Sequence, residues 1–349
     1  MMKALVYHGP NRLAWEDRPK PAITAATDAI VRITTTTICG TDLHILKGDV
    51  PTIGDGRILG HEGVGIVEEV GANVLGFHAG DKVLISLISS CGGCRFCRKA
   101  MFSQCLTGGW RLGNSIDGTQ AEYVRIPYAD SGLHLLPPES DDDAMVMLSC
   151  ILPTGLECGT LPGQVKPGDI VAIVGAGPVG LAALLTTQFY SPAEIIMIDQ
   201  NDHRLEVARS LGATKVLNSS DGKAVERVMS LTGGTGVDVA IEAVGLPATF
   251  DICQAIIAPG GRIANVGVHA KPVEFHLERL WSSNITLTTR LVDAATTPML
   301  LKMVQSGRLD PKQLVSHRFN LSEIIGAYDT FTHSARNHAL KVVLRDCRE

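Results

Sequence analysis

The chain has 349 residues, more than one hydrophobic core comfortably serves, so two domains are the first expectation. With 45% hydrophobic and 19% charged residues, a net charge of −5 and no basic block to neutralise a phosphate backbone, nucleic acid is excluded as an expected partner. The N-terminus runs straight into a strand-like pattern without the long apolar core and cleavage site of a signal peptide, which makes the cytoplasm the expected address.

Short β-prone runs bounded by Gly, Pro and Asp occupy 29–34, 63–70, 82–87 and 121–126 and predict a β-rich domain. From about residue 153 the rhythm changes: a strand at 170–174, a glycine turn at 175–180, a helix to about 190, then a strand at 194–198. Helices at 203–211, 223–232 and 248–257 alternate with strands at 215–217, 237–243, 261–266 and 285–289, the signature of a parallel sheet covered by helices. Residues 170–190 carry no charge and match a bilayer in length, yet three glycines and Pro178 break the run, so no membrane span is expected. A last strand at 340–344 has no place in the sheet just completed and is assigned back to the first domain. The expected division is therefore 1–152 with 297–349, and 153–296.

Gly175-Ala176-Gly177-Pro178-Val179-Gly180 is a Gly-x-Gly-x-x-Gly that follows an apolar strand and opens a helix. Its glycines permit a tight turn, backbone approach to a pyrophosphate, and close packing of helix on strand, while phosphate meets the free N–H groups of the helix N-terminus. Asp199 closes the next strand, where a carboxylate accepts both ribose hydroxyls of NAD and repels the 2′-phosphate of NADP. Arg204 nearby weakens that preference without reversing it.

Nine cysteines, four of them within fifteen positions, point to metal binding rather than to disulfides. Cys91, Cys94, Cys97 and Cys105 form Cys-x2-Cys-x2-Cys-x7-Cys on a charged surface loop, the spacing of a closed tetrahedral structural zinc site. A dispersed set comprises Cys39 in Cys39-Gly40-Thr41-Asp42-Leu43-His44, His61 in Gly60-His61-Glu62-Gly63, and Cys150. A Cys, a His and a Cys around one zinc leave the open fourth position that catalysis requires, although spacing alone does not join the three.

Together, Gly60-His61-Glu62-Gly63-Val64-Gly65, Cys39-Gly40-Thr41, the four-cysteine lobe and the glycine loop resemble, in order, the motifs of the zinc-containing medium-chain alcohol dehydrogenases. The resemblance covers essentially the whole chain. It implies an α/β protein, with a β-rich GroES-like catalytic domain plus a Rossmann doubly wound parallel sheet domain. It also implies NAD as cofactor and two zinc ions per chain, the catalytic one held by Cys39, His61 and Cys150 with Glu62 beside it as a transient ligand. By the same likeness Asp42 orients His61, and Thr41 takes the substrate's proton and passes it through the ribose to His44 at the surface. Thr154, Val244, Val266 and Val268 would line the nicotinamide half of the cleft, Gly175, Gly177, Pro178, Val179 and Gly180 the pyrophosphate, and Lys341 would face that pyrophosphate as a cation. Trp110, with Leu87 and Ile88 nearby, would wall a pocket suited to a small aliphatic alcohol or its carbonyl partner. A homotetramer, or a dimer, is implied.

Two other readings stay open on sequence grounds. A polyol or threonine dehydrogenase of the same superfamily shares Cys-Gly-Thr-Asp-Leu-His, but such relatives commonly use Glu near the third metal position where this chain has Cys150. A non-catalytic NAD-binding redox sensor would be expected to have lost the dispersed ligands or Thr41, and the sequence retains them.

Overall fold

The computed structural model describes residues 1–346 and divides into two compact units: Met1–Cys150 together with the chain from Asp293 onward, and Ile151–Val292. The breaks fall slightly earlier than the expected ones at 152 and 297, the first directly behind Cys150.

The first unit is organised around the strand Ala29–Ile38, whose β-branched run favours a pleated, packed surface. It pairs antiparallel with Gly63–Val70 on one side, and on the other with Tyr123–Ile126 at its start and Lys341–Arg345 at its end. Lys82–Ile85 and Leu133–Leu135 extend the sheet beyond Gly63–Val70, while Val315–Asn320 extends it beyond Lys341–Arg345. The last strand thus returns to the first unit, with Val342 opposite Ile38 and Leu344 opposite Thr36. Alternate residues Ala29, Val31 and Ile33 meet Val67, Val83, Ile85, Val124 and Ile126 in one core, as a period of two requires. From Thr35 to Ile38 the strand is buried on both faces, so its threonine hydroxyls need internal partners.

In the second unit six parallel strands lie in the order Lys215–Asn218, Glu194–Asp199, Ile170–Val174, Val237–Glu242, Ile257–Asn265, Thr286–Thr289. The central strands read as unbroken apolar runs, Val171 to Val174 and Ile195 to Ile198, because neither face meets water. The direction of winding reverses between Ile170–Val174 and Val237–Glu242, the switch point outside whose carboxyl ends such sheets take their ligands. The uncharged stretch 170–190 is a strand, a loop, the helix Pro178–Thr187 and a closing 3-10 turn, Gln188–Tyr190. Among the described residues no helix is long and apolar enough to cross a membrane.

Candidate active site

Cys39 follows directly on the strand Ala29–Ile38 and is the N-cap of the helix Gly40–Lys47, in extended conformation. Its backbone N–H donates to Asp42 Oδ2 at 2.8 Å, and Gln120 Nε2 donates to the same oxygen at 3.1 Å. A carboxylate at the third helical position thereby satisfies the N–H that opens the helix and fixes the direction in which the Cys39 side chain leaves the backbone. Tyr328 Oη donates to Gln120 Oε1 at 2.8 Å and completes this buried chain. Across the site, the Glu62 carbonyl accepts from the hydroxyls of Thr36 and Thr119, each at 2.7 Å. That pair fixes the His61-Glu62 segment where it enters the strand Gly63–Val70.

These anchors bring ligand atoms of Cys39, His61, Glu62 and Cys150 within 4.8 Å of one another, all four residues buried. Glu62 Oε2 accepts from the Thr37 hydroxyl and from Lys341 Nζ at 2.5 Å, and the same ammonium donates to Thr37 Oγ1 at 2.9 Å and to the Ile38 carbonyl at 3.2 Å. Lys341 is 1% exposed. Its place corrects the expectation of a cation facing a pyrophosphate: the ammonium is committed to a buried carboxylate and to two neighbouring oxygens of the strand Ala29–Ile38. Burial works to lower the Lys341 ammonium, but the charges of Glu62 and Cys39 outweigh it and hold it above its ordinary value.

The electrostatics of the four are those of a cation site. The hydrogen bond with Cys150 pulls the Cys39 thiol well below its ordinary range and pushes Cys150 well above its own. Burial drives the Asp42 carboxyl up to about 7. For His61 burial acts downward, but Cys39, Asp42 and Glu62 override it and hold the imidazole up at about 9. Asp42 Oδ1 stands 3.9 Å from His61 Nδ1, and Glu62 Oε1 stands 3.9 Å from His61 Nε2, too far for hydrogen bonds. Both oxygens are buried without a hydrogen-bond partner among the described residues. Two sulfurs and an imidazole fit the donor set of zinc, and a buried orphaned carboxylate oxygen beside them would be satisfied by the same divalent ion. Asp42 thus holds Cys39 by a short bond and approaches His61 only electrostatically, a different division of labour from that implied by the resemblance.

Around the cluster, Thr41 Oγ1 lies 3.8 Å from Cys39 Sγ. His44, one helical turn on, is 30% exposed and pairs with Asp49 through Nδ1 at 2.9 Å. Trp110 meets the His61 ring edge-on, centroids 6.1 Å apart, and is the cross-strand partner of Ile88. Leu87 and Ile88 are both buried.

The four-cysteine lobe gathers Cys91, Cys94, Cys97 and Cys105 within the same 4.8 Å limit. Backbone N–H groups of Cys97 and Leu106 draw the Cys94 thiol down to about 6, while burial pushes Cys97 up to about 12. The Cys91 N–H donates to Cys105 Sγ at 3.3 Å. Amides aimed at sulfur stabilise thiolates, the form in which a thiol binds metal.

In the second unit Gly175 takes φ +110°, and a Cβ on Gly180 would lie 1.8 Å from the Gly175 carbonyl oxygen, so helix and turn touch backbone to backbone. Gly177 is the N-cap of Pro178–Thr187, with Pro178 and Val179 in its first turn and open space where a Cβ would stand. Asp199 Oδ2 accepts the Ala176 N–H at 2.7 Å and Oδ1 accepts the Asn201 N–H at 2.9 Å, which clamps the glycine turn to the end of the neighbouring strand. Arg204 sits in the first turn of Asp202–Ser210, and Thr154 ends the helix Ile151–Thr154. Val244 and Val268 are exposed beyond the ends of two adjacent strands, with Val266 half-buried between them.

Residues 178–306 match the zinc-binding dehydrogenase family model, and residues 25–138 match the alcohol dehydrogenase GroES-like domain. An alcohol dehydrogenase from Cupriavidus necator is 39% identical, with 99% of each chain aligned. The chain belongs to the zinc-containing alcohol dehydrogenases. Among solved structures, zinc-dependent alcohol dehydrogenase 2 from Streptococcus pneumonia superimposes with a TM-score of 0.96 at 56% identity, over 100% of this chain and 99% of that one. The alcohol dehydrogenase TADH from Thermus sp. ATN1 gives 0.91 at 36%, over 99% and 100%.

Sequence reasoning missed five supports of this alcohol dehydrogenase's candidate metal cluster: Thr36, Thr37, Thr119, Gln120 and Tyr328. Thr37 stands in a run of four threonines that reads only as strand, and Gln120 and Tyr328 act across 78 and 208 residues of sequence. No local signal marks them.

Proposed function

We propose that the chain oxidises small aliphatic alcohols, and reduces the matching aldehydes or ketones, with NAD, at a zinc held by Cys39, His61 and Cys150. The observation that carries this reading is the convergence of two thiols, an imidazole and the Glu62 carboxylate, ligand atoms within 4.8 Å of one another, with Glu62 Oε1 buried and unpartnered among the described residues. When bound, zinc supplies the electrophile that lowers the pKa of an alcohol toward neutrality. NAD supplies the hydride acceptor. The Thr41 hydroxyl, beside Cys39, receives the substrate's proton and passes its own through the ribose to partly exposed His44, which Asp49 holds through Nδ1 and which releases it to solvent. Trp110, Leu87 and Ile88 give the pocket an apolar wall, which excludes water and favours short alkyl chains over sugars. Steady-state assays over an alcohol panel test this: NAD-dependent oxidation of propanol or butanol is expected, and no turnover across the panel would favour a non-catalytic NAD binder.

A second zinc in the four-cysteine lobe is part of the same reading, as are a homotetramer or dimer and a cytoplasmic location. Cys97→Ser is expected to lower the zinc content from two to one per chain and to open the lobe to trypsin after Arg95, Arg98 and Lys99, with NADH affinity unchanged. Metal analysis and limited proteolysis check it.

For NAD over NADP the support is the Asp199 carboxylate at the end of its strand. Asp199→Asn retains an acceptor for the Ala176 N–H but removes the charge. It is expected to narrow the preference for NAD by roughly 10–100-fold, the scale of a hydrogen bond to a charged group. An unchanged ratio of kcat/KM for the two cofactors would remove this role.

A further inference from the structure

At the carboxyl edge of the six-stranded sheet, three side chains tie two turns together. Glu242, fully buried at the end of Val237–Glu242, accepts the N–H of Val244 at 3.0 Å and of Gly245 at 2.9 Å, and the Thr249 hydroxyl at 2.6 Å. One strand over, Asn265 Nδ2 donates to the Gly267 carbonyl at 3.0 Å, which leaves Asn265 Oδ1 as an acceptor 2.8 Å from His269 Nε2. Nε2 therefore carries a proton in this network, and the same nitrogen stands 3.5 Å from Glu242 Oε2. His269 closes a bridge between the turn at 244–245 and the turn at 267–268.

The two turns press on each other: a Cβ on Gly245 would lie 2.3 Å from the Val268 carbonyl oxygen, and one on Gly267 would lie 2.2 Å from the Gly245 nitrogen. Each turn presents an exposed valine, Val244 at 39% and Val268 at 62%. As mere filling, His269 is a poor choice. Its ring packs edge-on against Phe250, centroids 6.0 Å apart, and its Nδ1 is buried with no hydrogen-bond partner among the described residues. An apolar side chain would fill the space without stranding a nitrogen. What the imidazole contributes is the relative placement of the two turns.

We propose that Glu242, Asn265 and His269 form a strut that fixes the spacing of Val244 and Val268 and thereby orients the pyridine ring of a nicotinamide cofactor, with His269 as a positioning residue. The proposal rests on reading this unit as the cofactor site. The glycine loop and Asp199 lie on strands to one side of the switch point and the strut on strands to the other, so the adenosine and nicotinamide halves of a dinucleotide meet different supports.

That separation makes the test. Dissociation constants for NADH and for ADP-ribose, which lacks the pyridine ring, are measured by calorimetry on the metal-loaded enzyme. His269→Leu is expected to weaken NADH about tenfold, the scale of one lost hydrogen bond, and to change ADP-ribose less than about twofold. His269→Gln, which can again present an N–H to Asn265 Oδ1, is expected to recover most of the NADH affinity. Unchanged NADH affinity in His269→Leu, or equal weakening of both ligands, overturns the strut. Failure of the parent enzyme to bind ADP-ribose overturns the cofactor reading itself, and the proposal with it.

Discussion

Replacing Cys150 by alanine is expected to lower kcat/KM for alcohol oxidation by more than about a hundredfold, because loss of even an outer partner of a metal ligand typically costs about 10–100-fold. NADH affinity should stay within about twofold of the parent, since the glycine loop and Asp199 are supported by their own strands. The reason is specific to the arrangement. Cys150 offers one of the two sulfurs of the cluster, and without it the set that remains is one sulfur, one imidazole and Glu62. Metal analysis should then find zinc retained by the four-cysteine lobe and lost from the dispersed site. Undiminished turnover in Cys150→Ala would take Cys150 out of the ligand set.

The second large effect concerns stability as well as catalysis. In Lys341→Met the Glu62 carboxylate keeps its buried position but loses the ammonium 2.5 Å away. Removing one partner of a buried pair costs about 3–5 kcal/mol, because the surviving charge is left unsolvated. For a chain of 349 residues that corresponds to a fall in Tm of about 4–7 °C, readable by differential scanning calorimetry. The double variant Lys341→Met, Glu62→Gln removes both charges together and is expected to regain much of the loss, which distinguishes an uncompensated charge from lost packing. Equal melting temperatures for the parent and Lys341→Met would show that the pair carries no such weight.

What could be read from the sequence was what is written in short stretches. The glycine loop, the carboxylate closing the next strand and the four cysteines within fifteen positions each declare their chemistry locally. The last strand was legible because an alternating sheet already complete had no room for it, and its pairing with Ala29–Ile38 carries Lys341 into the first unit. The ammonium's partner was not legible: Glu62 lies 279 residues away, and a lysine opening a strand has no signal that separates a pyrophosphate from a buried carboxylate. Asp42 shows the same limit at short range. Its position next to a ligand segment was clear, but that its Oδ2 holds the Cys39 N–H while its Oδ1 remains 3.9 Å from His61 depends on how Gln120 and Tyr328 pack from distant parts of the chain. The strut of Glu242, Asn265 and His269 was invisible for a related reason, since it joins two strand ends whose neighbourhood exists only in the folded sheet.

Alcohol oxidation by this chain is proposed to depend on one metal ion held by Cys39, His61 and Cys150. The most direct test is to count zinc in the purified enzyme, withdraw it stepwise with a chelator, and follow NAD-dependent oxidation of propanol at each step. Two zinc ions per chain are expected, with turnover falling in proportion to loss of zinc from the dispersed site and returning when zinc is restored to it. Full turnover in protein that holds a single zinc, bound in the four-cysteine lobe, would contradict that dependence.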